Sequence, residues 1–150
     1  ESDRTRICIL RTGIVLGTHG GALKMMLLPF KFGLGSVLGR GEQFMPWIHI
    51  QDMVRGIVYL LDTQYAKGIF NFNAPHPVTN AHFSKTLART LVRPQFITAP
   101  KCFFSVLMGE SSSLLFDSMN AKPKHLTELG FHFNYSRIEP ALHNLLQHNE

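Results

Sequence analysis

Residues 6–12 (RICILRT) place Ile7, Cys8, Ile9 and Leu10 in unbroken succession before Gly13, so both faces of an extended segment are apolar. A strand that is apolar on both faces belongs inside a parallel sheet, covered above and below; a half-exposed sheet would show alternation instead. Parallel neighbours need crossover connections of a dozen or more residues, usually helical. Such a chain has to interleave strands with helices, and the pattern downstream has that form.

Residues 13–21 are a glycine-rich loop, and residues 22–32 carry helix formers, with Pro29 expected to kink or end the helix. A second glycine-rich connection (GLGSVLGRG, 33–41) leads to strands expected near 43–44 and 47–50. Asp52 stands where a helix N-cap is expected, and Val54, Ile57, Val58 and Leu61 recur at helical spacing until Lys67 and Gly68 close the unit. Residues 69–73 (IFNFN) alternate as a half-buried strand does. Thr79 is a second N-cap candidate, with Phe83, Leu87 and Leu91 on one helical face. Beyond it the pattern predicts a short strand at 95–98, an apolar helix at 103–108 and a loop at 111–113. Pro123 suits the first position of a helix ending at Gly130. Phe131 and Phe133 flank His132 in a strand-like piece, and Glu139-Pro140 opens a last helix that turns Ile138, Leu142, Leu145 and Leu146 inward. No internal repeat interrupts this order, and the class is α/β.

At 150 residues the chain is one domain or parts of two, and 45% hydrophobic content with 12 Phe is enough to bury a core. The formal net charge of +5 is spread along the whole chain. Without a basic cluster, zinc-finger spacing or another nucleic-acid motif, no nucleic-acid partner is expected; a basic face for a phosphorylated cofactor or substrate fits the surplus equally well. Cys8 and Cys102 lie far apart in apolar stretches, as free thiols of a reducing compartment do, so a cytoplasmic location is expected. No run of about 18 apolar residues suggests a membrane span, and the charged first residues do not resemble a signal peptide. The first residue is Glu1 rather than Met, from which missing upstream sequence is expected.

Gly33, Gly35 and Gly39 spell G-x-G-x-x-x-G, close to a dinucleotide fingerprint. That fingerprint works only between a strand and a helix amino terminus, whose free N–H groups receive the pyrophosphate. Here a helix precedes the glycines and a strand follows, so they read as a turn-rich loop. A dehydrogenase commonly lowers the pKa of a Tyr with a Lys four residues later on the same helical face. Tyr59, Tyr65 and Tyr135 are followed at that distance by Thr63, Ile69 and Glu139. There is no G-x-S-x-G elbow, no His pair at metal-binding helical spacing, and Glu128 and Glu139 lie in separate segments.

Three ordered stretches resemble the extended short-chain dehydrogenase/reductases. Residues 11–17 (RTGIVLG) are similar to R-P-x-x-V-Y-G. Residues 39–52, from Gly39-x-Gly41-x-Gln43 to Trp47-Ile48-His49-Ile50-x-Asp52, are similar to G-D-G-x-Q-x-R-D-F-I-H-V-x-D. Residues 68–73 followed by Thr79 are similar to the strand ending in Asn and the helix after it. The wording LRTGIVLG, GGALKMMLLPF, WIHIQD and NAPHPVTNAHF resembles the subgroup called epimerase family proteins, and residues 123–133 resemble that subgroup's own carboxy-terminal domain.

The resemblance implies the carboxy-terminal portion of a Rossmann-like doubly wound fold plus a small mixed α/β substrate lobe. It divides the chain into the last strands of a cofactor domain interleaved with the substrate lobe (1–75) and a carboxy-terminal substrate domain (76–150). The parent enzyme would bind NADP or NAD, with its fingerprint and Tyr-x-x-x-Lys upstream of Glu1, so this chain alone is expected neither to catalyse nor to bind the cofactor tightly. Thr12, Gly13, Ile14 and Val15 are the cofactor-contact candidates, while Arg11 is expected to fix the strand end through a salt bridge. Gln43 and Trp47 are the substrate-cleft candidates, an amide and an aromatic offering orientation and stacking; His49 and Asp52 are expected to be structural. Met45 and Pro46 stand where the family has Arg and Asp, so the bidentate pyrophosphate clamp is missing; Leu16 and Thr18 replace Tyr and Pro. The substrate is not named by any of this. Loss of neighbouring strands would expose sheet edges, so an amino-terminal half chain or self-association is expected. A non-catalytic interaction domain is the alternative.

Overall fold

The computed structural model describes residues 5–93 and 120–147. The elements run β1 (Cys8–Thr12), β2 (Ile14–Leu16), α1 (Gly21–Lys31), β3 (Phe44–Met45), β4 (Trp47–His49), α2 (Ile50–Asp62), β5 (Gly68–Phe72), β6 (Val78–Thr79), α3 (Asn80–Thr90), α4 (Lys124–Glu128) and α5 (Ile138–Gln147). The expected α/β order is present. The strand, helix and loop expected at 95–98, 103–108 and 111–113 lie outside the described residues, as does Cys102.

β1 pairs in parallel with β5, from Cys8 opposite Gly68 to Thr12 opposite Phe72. β2 pairs in parallel with β4, and β3 runs antiparallel to β6. Gly13 is where the extended chain changes partner. Its N–H donates to the Phe72 carbonyl at 2.9 Å, and the next N–H, from Ile14, donates to the Pro46 carbonyl at 2.7 Å. A Cβ on Gly13 would sit 2.7 Å from the Pro46 carbonyl oxygen, so a residue without a side chain is needed where these backbones pass.

The Gly68 N–H donates to Ile7 and the Gly13 N–H to Phe72, so the odd-numbered residues of this strand turn their backbone groups towards β5. Cys8, Leu10 and Thr12 turn theirs to the opposite edge, where no strand pairs with β1 among the described residues.

Two apolar cores hold the elements together. One gathers Leu16, Leu23, Phe30, Trp47, Phe83, Leu87, Ile138 and Leu142 between α1, α3, α5 and the strands. The other gathers Ile48, Leu60, Phe70, Phe72, Leu126 and Phe131, with Cys8, Leu10 and Met53 partly buried against it. Across the β1–β5 sheet from that core, Ile9 is 51% exposed and Ile69 45%. The stripe that marks α2 in the sequence also lies outward: Val54, Ile57, Val58 and Leu61 are exposed, while Asp52, Gly56 and Leu60 form the buried side.

Local signals explain most element ends. The Arg6 guanidinium donates to the carbonyls of Leu60 (2.7 Å) and Leu61, a cation at the negative end of α2. Thr79 caps α3, its Oγ1 accepting from the His82 N–H at 3.2 Å, as expected. The glycine loop between α1 and β3 has Gly33, Gly39 and Gly41 at positive φ and precedes a strand, as the turn reading requires. Pro29 is accommodated in the last turn of α1.

Three local expectations are corrected. His49, not Asp52, is the N-cap of α2; Asp52 stands inside the first turn. Pro123 caps α4 instead of opening it. Residues 131–133 form no strand, because the chain there is held by side chains: Phe131 and Phe133 meet edge to face at 4.9 Å, and the next two N–H groups are taken by Asp52.

Candidate functional site

Strands β2 and β4 release the chain at the same end, β2 into the 17–21 loop and α1, β4 directly into α2. A cleft of about 460 Å³ opens there, lined by Val15, the loop from Gly17 to Gly21, the start of α2 (His49, Ile50, Gln51), and Asn144 and Leu145 of α5. The carboxyl ends of parallel strands are the usual ligand position in α/β folds, because loops and helix amino termini converge there. Two helix amino termini, of α1 and α2, border this one.

They are finished differently. The His49 Nδ1 accepts from the Gln51 N–H at 3.1 Å, and Asp52 adds a carboxylate inside the first turn of α2. That carboxylate is fully buried and saturated: Oδ1 accepts from the Asn134 N–H (2.9 Å) and the Arg55 guanidinium (2.7 Å), and Oδ2 from the Tyr135 N–H (2.8 Å). It thereby ties α2 to the segment leading into α5. α1, by contrast, starts at Gly20 with no side-chain cap and no acidic residue in its first turn.

His49 is 1% exposed and stacks on Tyr135, ring centroids 3.9 Å apart. Burial pushes its pKa below the ordinary imidazole value, outweighing the opposing effects of Asp52 and Asn144. The neutral ring accepts at Nδ1, so its proton is on Nε2. That Nε2–H has no hydrogen-bond partner; the Asn144 amide is close enough to act on the ring but stands outside hydrogen-bonding geometry.

The residues singled out in the sequence are dispersed. Thr12 is exposed at the open edge of β1, Gly13 and Ile14 lie at the partner switch, and Val15 reaches the cleft wall. Gln43 is half-buried and its amide donates to the Leu38 carbonyl at 3.0 Å. Trp47 is fully buried in the first core and its indole N–H donates to the His76 carbonyl at 3.2 Å. Neither Gln43 nor Trp47 lines the cleft: Gln43 is held by the loop carbonyl of Leu38, and Trp47 is turned into the first core. Met45, at the position of the family's Arg, is also buried, its sulfur accepting from the Asn80 amide at 3.2 Å. Arg11 is exposed and belongs to none of the ion pairs found among the described residues, which join Arg55 to Asp52, His82 to Glu139 and Lys124 to Glu128.

Sequence reasoning missed Gly20, Gly21, Gln51 and Asn144. The glycine pair did carry a signal: a helix that starts without Ser, Thr, Asp or Asn before it. Asn144 carried none, since it arrives from the far end of the chain. Among the described residues no cluster of three or more His, Cys, Asp or Glu could hold a metal ion, and no helix is long and apolar enough to cross a membrane.

The family described as "Domain of unknown function (DUF1731)" matches residues 99–145. An epimerase family protein of Staphylococcus aureus is 38% identical over 147 residues, which is 98% of this chain and 49% of that protein. One from Staphylococcus epidermidis is 38% identical over 143 residues, 95% of this chain and 48% of its own length. The chain thus spans about half the length of the curated relatives it matches. Among solved structures, human epimerase family protein SDR39U1 (isoform 2), crystallised with NADPH, superposes with a TM-score of 0.91 at 34% identity, covering 98% of this chain and 50% of that one. UDP-N-acetylglucosamine 4-epimerase from Bacillus cereus shares the fold, with a TM-score of 0.67 at 15% identity over 96% of this chain and 46% of that one. By sequence and by fold, the chain corresponds to the carboxy-terminal, DUF1731-bearing half of the epimerase family proteins.

Proposed function

We propose that this chain is the half of an NAD(P)-dependent oxidoreductase or epimerase that closes the nicotinamide site and supplies the substrate lobe, the cofactor-holding half being a separate stretch of protein. The single observation that carries the reading is the bare edge of β1. Among the described residues, the backbone groups of Cys8, Leu10 and Thr12 face an unpaired side beside exposed Ile9 and Ile69, an arrangement a parallel sheet sustains only when a further strand and its helices cover it. The human relative crystallised with NADPH supports the cofactor class.

The residues present fit one wall of such a site. Thr12 offers a hydroxyl and unpaired backbone groups at the strand edge, Gly13 keeps the backbone close to its neighbours, and Ile14 and Val15 present apolar surface that a flat ring can pack against. When bound, the nicotinamide supplies or accepts the hydride. This chain's part is to position the ring, exclude water from one side and shape the cleft beyond Val15. Trp47 serves that cleft from behind, by anchoring β4, whose last residue His49 lines it, and Gln43 braces the 33–41 loop. No Tyr of the chain has a Lys four residues later, so catalysis is assigned to the assembled protein. A free Cys8 thiol, its Sγ donating to the Ala66 carbonyl at 3.3 Å, suits a reducing, cytoplasmic setting.

The test is an NADPH fluorescence titration of the chain alone and of the chain mixed with the unmatched half of the Staphylococcus aureus relative. Saturable binding by the mixture only is the expected result. Binding by the chain alone overturns this division of labour, and binding by neither sample favours an interaction domain without a cofactor.

A further inference from the structure

The formal charge of +5 is spread along the sequence, yet the fold gathers part of it in one place. On α3, His82, Lys85, Thr86, Arg89 and Thr90 recur at the three- and four-residue spacing of a single helical face. The neighbouring face, with Phe83 and Leu87, is buried in the first core. The polar face instead forms one wall of a cleft of about 390 Å³, and Glu139 and His143, one turn apart on α5, form the other. No residue of this lining belongs to the cleft at Val15.

Charge in the α3–α5 cleft is unbalanced. Glu139 is the only carboxylate in its lining, and it is already engaged, Oε1 accepting from His82 Nε2 at 2.8 Å. Burial pushes the Glu139 carboxyl up, yet the hydrogen bond from His82 and the charges of His82 and Arg137 hold it below its ordinary value. The surroundings of that carboxylate are therefore positive. Lys85 and Arg89 remain, and neither belongs to an ion pair among the described residues. Like charges one helical turn apart repel, and an anion held by both removes that repulsion. A monocarboxylate carries charge enough for one of them. A phosphate monoester carries about −1.5 to −2 on three acceptor oxygens, which matches two cations. Lysine meets such oxygens as a point charge and arginine as a planar fork. The cleft falls within the roughly 300–1,000 Å³ of small-molecule sites, so it has room for more than the phosphate itself. We propose that the α3–α5 cleft binds the phosphate monoester of a small-molecule ligand, Lys85 and Arg89 holding its oxygens, with His143 on the opposite wall. This site does not depend on the cofactor reading above.

The test uses the full 150-residue chain without NADPH. Phenyl phosphate, inorganic phosphate and acetate are titrated separately at constant ionic strength, at about pH 7.5, where a phosphate monoester is largely dianionic. The Arg89 Nε–H and the His143 ring C–H signals are followed by NMR. Both phosphates are expected to shift these signals saturably, with acetate at least tenfold weaker. Lys85→Gln and Arg89→Gln, at exposed positions of α3, are each expected to weaken phenyl phosphate at least tenfold with the fold retained. Arg89→Lys keeps the charge without the fork and should weaken it less. Lys67→Gln removes the same charge from an exposed position outside the cleft and should leave the affinity unchanged. Acetate binding as tightly as phosphate, a response to inorganic phosphate without one to phenyl phosphate, or an unchanged affinity in Lys85→Gln or Arg89→Gln would each overturn the proposal. So would an equal loss in Lys67→Gln, which would mark the attraction as one of net charge.

Discussion

The core around Trp47, Phe83 and Leu142 and the two outer faces, one on the β1–β5 sheet and one on α2, are built from the same kinds of residue, yet only the first is closed. In the core, α1, α3 and α5 pack around Leu16 of β2 and Trp47 of β4, which are fully buried. On the outer faces, Ile9 and Ile69 on the sheet, and Val54, Val58 and Leu61 on the helix, remain exposed, and among the described residues β1 has an unpaired edge. Isolated exposed apolar residues are ordinary, but an apolar strip alongside an unpaired parallel strand marks an interface. On the proposal above, the difference has a plain meaning: one region is a finished lobe, and the other is where the sheet would continue into the cofactor-holding half.

Mutations should separate the two regions by size of effect. Phe83→Ala in the finished core should cost about 3–5 kcal/mol of unfolding free energy in urea denaturation, through lost burial and a cavity. An effect under about 1 kcal/mol would break the claim that this region is closed. Asp52→Ala removes the strut between α2 and the segment before α5, stranding two backbone N–H groups and Arg55; a loss of about 3 kcal/mol is expected. Gly13→Ala, at the junction between the two strand pairs, forces a Cβ against the Pro46 carbonyl and should cost about 1–3 kcal/mol.

Smaller effects sharpen the contrast. Because burial lowers the His49 pKa, the unfolded chain binds the proton more readily than the folded one. Stability from this group is therefore fully present above the unfolded value of about 6.5 and declines as pH falls below it towards the folded value. The melting temperature should drop between about pH 7 and pH 5.5 in the parent chain, and by less in His49→Asn, which keeps a capping acceptor. The smallest change belongs to the open surface. Leu61→Lys should alter the stability of the chain alone by no more than about 0.5 kcal/mol, while weakening its union with the unmatched half at least tenfold.

Much of this contrast was legible in the sequence. The unbroken apolar run before Gly13 already required cover on both faces, and the helical stripe on α2 was visible as periodicity. What periodicity could not say is which side of α2 the stripe faces; Leu60 and Gly56 are taken inward by Phe70 and Phe72, and the more conspicuous stripe is left outside. The glycine run from Gly33 to Gly41 was readable as a turn because its neighbours were in the wrong order for a phosphate loop. The site was less legible, for reasons of distance along the chain. Asp52 looked like a cap because its partners, the N–H groups of Asn134 and Tyr135, lie more than eighty residues away and exert a stronger hold than the helix end beside it. Trp47 looked available for stacking, but it lies on the same face of β4 as His49, two residues further from the strand end, where the first core encloses it. The bare end of α1 could be suspected from Gly20 and Gly21, whereas the arrival of Asn144 opposite it is a product of the tertiary fold alone.

The most direct test of the central claim is amide hydrogen exchange at Cys8, Leu10 and Thr12, whose backbone groups face the open edge, compared with Ile48 in β4. In the chain alone, the three β1 amides should exchange quickly while Ile48 is protected, and adding the unmatched half of the Staphylococcus aureus relative should slow those three selectively. If they are already as protected as Ile48 in the chain alone, or if the added half leaves them unchanged, the β1 edge is not where a second half joins, and the sheet does not continue beyond this chain.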